Sequence, residues 1–406
     1  ALRVGATGAF LRETDALIVD TVTVDVARVG TDGGLTHNQG GAWEDLRSTN
    51  NAVALVLQTG GTLTLNSGAS DAAAVVVSGN LMLNASGTTS DLAINAGVSS
   101  TAGHVSLLAG RDVLQSAAGD VQVANKTLDV RATRAISMAD GAQALSADGV
   151  IRYEAGTGDI TLGQLDAGNG SAIVIATAGS IVDGADANDS QATDILAANT
   201  LLKAGTAIGT SSNAIELSTD QLSSASRNGG TFLSEANAVT VTGLSLVGQR
   251  VDSTGANAAM AADVQEDLRT LGTASVLSLT AGGTLTVMGG ASTGTPNAGV
   301  VATGSILLAT TGAGSNLVLT SGVNSTTGDI SLNSSGSVSL SSQATPASIG
   351  SISTSAAGKT VDVRASGNIT MASGALTSTT NGHVRFEAQS GNITVSDITA
   401  GTGIAA

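Results

Sequence analysis

Six segments of this chain follow one template: GTLTLN (61–66), GNLMLN (79–84), GHVSLL (103–108), GDVQVA (119–124), GDITLG (158–163) and GDISLN (328–333). Each opens on Gly, continues with a small or polar residue, and then places aliphatic side chains at alternate positions. A period of two belongs to a β-strand with one buried face. Between such segments lie Gly, Asn, Asp, Ser and Thr, the turn formers. Strand starts recur roughly every 8–12 residues, the spacing of a sandwich, a barrel or a β-helix. In Lys126 to Ala132, Leu128, Val130 and Ala132 point one way, and Thr127, Asp129 and Arg131 the other. Ala256–Leu271 (ANAAMAADVQEDLRTL) is the stretch best able to form a short helix, although it lacks a wide apolar stripe.

The strand pattern is nested in a larger repeat. KTLDVRA (126–132) returns as KTVDVRA (359–365), RAISMADGA (134–142) faces GNITMASGA (367–375), and GVIRYEAGTGDIT (149–161) faces GHVRFEAQSGNIT (382–394). From Lys126 to Gly168, 20 of 43 positions are identical to those 233 residues on, too many for chance. Upstream, GHVSL (103–107) pairs with GDISL (328–332). EDLRS (44–48) and GGTLTL (60–65) pair with EDLRT (266–270) and GGTLTV (282–287). The drift in offset reads as small loop insertions in the second copy. The chain is therefore expected to hold two tandem units, 1–199 and 200–406. Repetition inside repetition marks a solenoid, whose coils bury their apolar faces against their neighbours.

Composition selects among the β architectures. Hydrophobic residues make up 42 % of the chain but aromatics only 1 %, so the core must be built from Ala, Val, Leu and Ile. A narrow lumen suits those side chains, and tight corners between faces use Gly and Asn, which tolerate positive φ. The expected fold is all-β: a right-handed parallel β-helix forming one continuous rod. Coils of about 20–25 residues, stacked about 4.8 Å apart, give roughly 16–20 coils and a rod of roughly 80–100 Å. Tandem β-sandwich modules are the competing fold. They need wider cores with a Trp or Tyr in each domain, and this chain has only Trp43, Tyr153, Phe10, Phe232 and Phe386.

The stretch from Ser171 to Leu244 contains SAIVIATAGSIVDGADANDSQATDILAANTLLKAGTAIGTSSNAIELSTDQLSS, and later GGTFLSEANAVTVTGL. It resembles the repeats of very large secreted bacterial proteins of the filamentous-haemagglutinin type. The resemblance implies a right-handed β-helix, display at the bacterial cell surface, and adhesion or matrix scaffolding; it identifies no receptor. The chain opens ALRVGATGAF and ends GTGIAA in mid-pattern, as a slice of something longer would. The expected partners are further repeats of a parent chain or identical subunits end to end, with a surface glycan or protein receptor also open. A net charge of −16 argues against nucleic acid, and no run approaches ~20 apolar residues, so no membrane span is expected.

Few residues suggest chemistry, and the chain is expected to be non-enzymatic. Its histidines, His37, His104 and His383, lack metal-ligand spacing and read as exposed turn residues. Arg152, Tyr153 and Glu154 recur as Arg385, Phe386 and Glu387. The flanking pair is expected to form an exposed ion pair while Tyr153 points inward. Thr-x-Thr pairs at Thr21/Thr23, Thr62/Thr64 and Thr240/Thr242 are too few for a regular ice-binding face. The acidic loop 182–194, which holds Asp183, Asp186, Asp189 and Asp194 with Asn188, is the one metal candidate, with Asp183, Asp186, Asn188 and Asp189 as the expected oxygen ligands for calcium. Its spacing fits neither an EF-hand nor the Gly-Gly-x-Gly-x-Asp repeat. A carbohydrate-active β-helix is the least favoured reading, because carboxylates are scattered and stacking aromatics are nearly absent.

Overall fold

The computed structural model describes residues 1–5, 8–39, 42–48, 53–184, 193–289, 298–344, 347–401 and 403–405. Among them there is no helix, and the strands wind as a parallel β-helix with three ladders. The first ladder starts at Leu2–Val4, the second at Ala9–Glu13 and the third at Leu17–Val19. Each strand pairs in parallel with the equivalent strand one turn later: Leu81 with Val105, Val105 with Leu128, Leu128 with Ile151. The longest ladder stacks sixteen strands, from Leu2–Val4 to Gly403–Ala405. At a spacing of about 4.8 Å this makes a rod about 72 Å long.

Alternation fills the lumen. Leu128, Val130 and Ala132 face inward at 0–1 % exposure, stacked on Val105, Leu107 and Ala109 below and on Ile151, Tyr153 and Ala155 above. Corners bring backbones too close for most side chains. A Cβ on Gly103 would lie 2.0 Å from the Gly79 carbonyl carbon, and one on Gly119 2.1 Å from the Ile94 carbonyl oxygen, which explains why the strand template opens on glycine. Other corners use a left-handed Asp or Asn. Asp45 (φ 60°) and Asp267 (φ 59°) are both buried, and each bonds the Arg two residues on, Arg47 or Arg269. The recurring Glu-Asp-Leu-Arg motif thus encodes a corner.

The two units sit a face apart on the rod. Strands Ala9–Glu13 and Thr231–Glu235 correspond 222 residues apart, as do Leu46–Ser48 and Leu268–Thr270. Yet the second ladder of the first unit continues, through 221–226, into Leu268–Thr270. That strand belongs to the first ladder of its own unit. The ladders therefore exchange roles where the units meet.

Three antiparallel hairpins leave the helix among the described residues, a short one at Ser342–Ala344 with Ala347–Ile349 and two longer ones. Where a short helix was open at Ala256–Leu271, the chain makes Asn257–Ala259, Asp263–Gln265 and Leu268–Thr270 instead. The first two close an antiparallel hairpin with Leu244–Leu246 and Gln249–Val251. This arm folds back along the outside of the first unit. Leu244 packs on Ile173 and Leu201, Val251 on Val56 and Met82, and the tip at Gly255 reaches Phe10 and Ala54. It spans eight successive strands of the second ladder, about 34 Å. A corresponding hairpin in the first unit, Asp25–Val29 with Leu35–Gln39, has exposed Val26, Val29 and Leu35. Trp43 lies outside the lumen, half exposed, with the Arg3 guanidinium 5.4 Å from its ring.

Candidate functional site

The acidic candidate is assembled by rung stacking. Asp183 ends the strand Ile181–Asp183, Asp194 precedes Ile195–Ala204, and Glu216 lies in Ile215–Ser226. Ile195 stacks on Leu217, so Glu216 sits one rung from Asp194, 22 residues along. One carboxylate oxygen from each of Asp183, Asp194 and Glu216 lies within 4.8 Å of the others, a separation a hard cation could bridge. Of the residues expected to hold calcium, Asp183 is in this cluster; Asp186, Asn188 and Asp189 lie outside the described residues. Sequence reading missed Glu216, because the signal was the coil length rather than a local motif.

Asp194 is 2 % exposed, and its Oδ2 accepts a bond from the Glu216 backbone N–H at 2.8 Å. Burial pushes its pKa up to about 9. The charges of Asp183 and Glu216 push the same way, against the pull of that backbone bond. Glu235, 2 % exposed, is pushed by burial to about 7, although Thr219 and Asn237 donate backbone bonds to it. A carboxyl whose folded pKa is raised stabilises the fold while protonated. That contribution is complete below about pH 4 and is lost as pH rises through about 7 for Glu235 and about 9 for Asp194. Thermal melts in a calcium-free buffer should therefore show a falling midpoint across that window. Asp194→Asn, which can donate to Glu216 without a charge, should flatten the fall; an unchanged slope in the variant would contradict the assignment.

The Arg-Tyr-Glu segment divides as expected for the tyrosine and otherwise for its flanks. Tyr153 is fully buried, and its hydroxyl donates to Gln115 Oε1 at 3.1 Å. Arg152 does bond Glu154, at 2.7 Å, but the pair is not exposed. The hairpin covers Arg152, which is 7 % exposed, and Asp263 on the hairpin accepts its Nε–H at 2.7 Å. Burial works against the guanidinium charge, but the bonds to Asp263 and Glu154 outweigh it and hold its pKa above the usual value. Asp129, fully buried, accepts from Arg250 Nε at 2.6 Å and lies 3.5 Å from Arg152 Nη1. This network fastens the arm and has no acid–base geometry of its own.

The histidines are separate. His37 is exposed beside Asp25. His383 is exposed at the start of His383–Ala388. His104 is instead partly buried, and its Nδ1 accepts the Thr127 backbone N–H at 3.0 Å. Asp329 does the same for Thr360 in the second unit at 2.8 Å, so the corner cap is kept while the residue type changes.

No family model, no curated protein and no solved structure matches this chain.

Proposed function

We propose that this chain is a stiff, non-enzymatic segment of a large extracellular bacterial protein of the filamentous-haemagglutinin type, working in surface adhesion or matrix. The observation that carries the reading is mechanical. Sixteen strands are hydrogen-bonded one above another along the rod, and the hairpin splints eight successive strands of a ladder. Bending such a rod must stretch backbone bonds on one side or shear the splint off. In negative stain, isolated chains are expected as straight rods about 70 Å long, and flexible strings or globular beads would end the reading. Beads coated with the chain should be retained on cell surfaces or extracellular glycans above uncoated beads. A second reading, a subunit of a self-assembling fibre, is favoured by the exposed apolar residues of the first hairpin.

Calcium at the acidic trio fits the same setting, with Asp183 shared between the trio and the loop that follows it. Calorimetric titration with calcium should give heat that Asp194→Asn abolishes. No heat from the parent chain would leave the trio a structural, proton-sharing cluster.

A further inference from the structure

The two long hairpins, 22–43 and 244–265, are the same device in two states. Residues 22–43 align with 244–265 without a gap, at the 222-residue offset of the surrounding strands. Gly30 N–H donates to Gly34 O at 2.8 Å and Gly33 N–H to Gly30 O at 3.0 Å. The equivalent bonds, Asp252 to Ala256 and Gly255 to Asp252, have the same lengths. Gly33 (φ 76°) and Gly255 (φ 78°) make the same left-handed turn. Two of the residues that fasten the arm recur as well: Arg250 corresponds to Arg28, and Val251 to Val29. What differs is the surroundings. Val251 is 1 % exposed and Val29 is 67 %. A Cβ on Gly255 would strike Ala54 and Phe10, while one on Gly33 would meet nothing within 4 Å.

The track under the docked arm is likewise present twice. In the first unit its outward positions, rung by rung, are Phe10, Val56, Met82, Ser106, Asp129 and Arg152. In the second unit the corresponding positions are Phe232, Ser278, Leu307, Ser331, Asp362 and Arg385. Phe, Ser, Asp and Arg are kept at the equivalent levels, and Leu307 stands for Met82. The second track is open: Leu307 is 37 % exposed against 5 % for Met82, and the Asp362 carboxylate 38 % against zero for Asp129. In place of an arm, Asp362 is held by Arg385, at 2.7 and 2.8 Å.

We propose that the open track of one molecule receives the hairpin 22–43 of a second copy of this chain. Arg28 then bonds Asp362, the Val29 backbone N–H donates to Ser331 Oγ, and the Val29 side chain lies over Ser278 and Leu307. Each contact copies one already made inside the chain by Arg250 and Val251. Within residues 1–406 the two surfaces cannot meet, because the arm reaches about 37 Å and this stretch of rod is about 72 Å long. Arm and track are different surfaces near opposite ends, so the contact is head to tail and repeats without closing into a ring, which gives a filament. In sequence, Gly41 corresponds to Asp263, so the hairpin brings no such carboxylate to Arg385 and the intermolecular joint is the weaker one.

The inference rests on the rod reading but fails separately from it. The chain has no Cys, which permits a clean test. Val29→Cys and Leu307→Cys proteins, mixed under mild oxidation, should form a disulfide-linked heterodimer. Val251→Cys with Met82→Cys in one chain is the positive control. Val29→Cys mixed with Leu376→Cys is the background, since Leu376 is equally exposed, at 39 %, on another ladder. Adding Arg28→Glu should remove the heterodimer. If the internal control closes but the Val29–Leu307 link forms no better than background, docking is overturned, and straight rods in negative stain would leave the rod reading intact.

Discussion

Asp129→Ala is expected to lower stability by about 3–5 kcal/mol, whereas Asp362→Ala, the same substitution at the corresponding position of the second unit, should be nearly neutral. The two aspartates occupy the same place in KTLDVRA and KTVDVRA and point to the same side of their strands. Their surroundings decide the outcome. Asp129 is fully buried between Arg250 and Arg152, and its removal leaves two guanidinium groups under the arm with too little negative charge. Asp362 pairs with Arg385, whose side chain is 52 % exposed, so water replaces the lost bond. Urea melts of both variants give the comparison directly. The Asp129 variant should also release the arm, so that protease cuts near Gly255 as readily as near Gly33. Equal losses in the two variants would mean that the arm contributes nothing to the first unit.

Much of this architecture was legible because it depends on period. Strand alternation, glycine corners and the absence of large side chains all follow from a narrow lumen, and each shows in single segments. The inward position of Tyr153 followed from the same alternation. The arm was not legible, although its residues were in view. Ala256–Leu271 is rich in Ala, which suits a helix in isolation. It forms strand because Asp263 meets Arg152 and the hairpin's other edge, through Arg250 and Val251, meets Asp129, Ser106 and Met82. Those partners lie more than a hundred residues away, beyond any local pattern. For the same reason Thr127 and Asp129 looked like solvent-facing positions. They do point away from the lumen, but the arm buries them. Glu216 was hidden by a spacing that only the coil length fixes, and Asp194 was visible only as part of a charged loop.

Tyr153→Ala should destabilise the first unit by about 3–5 kcal/mol, and Phe386→Ala the second by a similar amount, because each empties the widest filled level of its lumen. Tyr153 is fully buried with Val130 and Val174 stacked on either side, and Phe386 is 2 % exposed above Val363. Neighbouring rungs are held by continuous backbone ladders, so the walls cannot collapse far into the void. The hydroxyl makes the sharper test. It donates to Gln115, whose Nε2 in turn donates to the Gln143 carbonyl. In the second unit both polar members are exchanged together, for Phe386 and Leu340. Tyr153→Phe alone leaves Gln115 Oε1 without its donor inside the lumen and should cost about 1–3 kcal/mol. Tyr153→Phe with Gln115→Leu rebuilds the apolar pair and should recover most of that loss. A double-mutant cycle measures the coupling. Additive losses in the cycle would show that the two side chains act independently and that the paired exchange between units is coincidental.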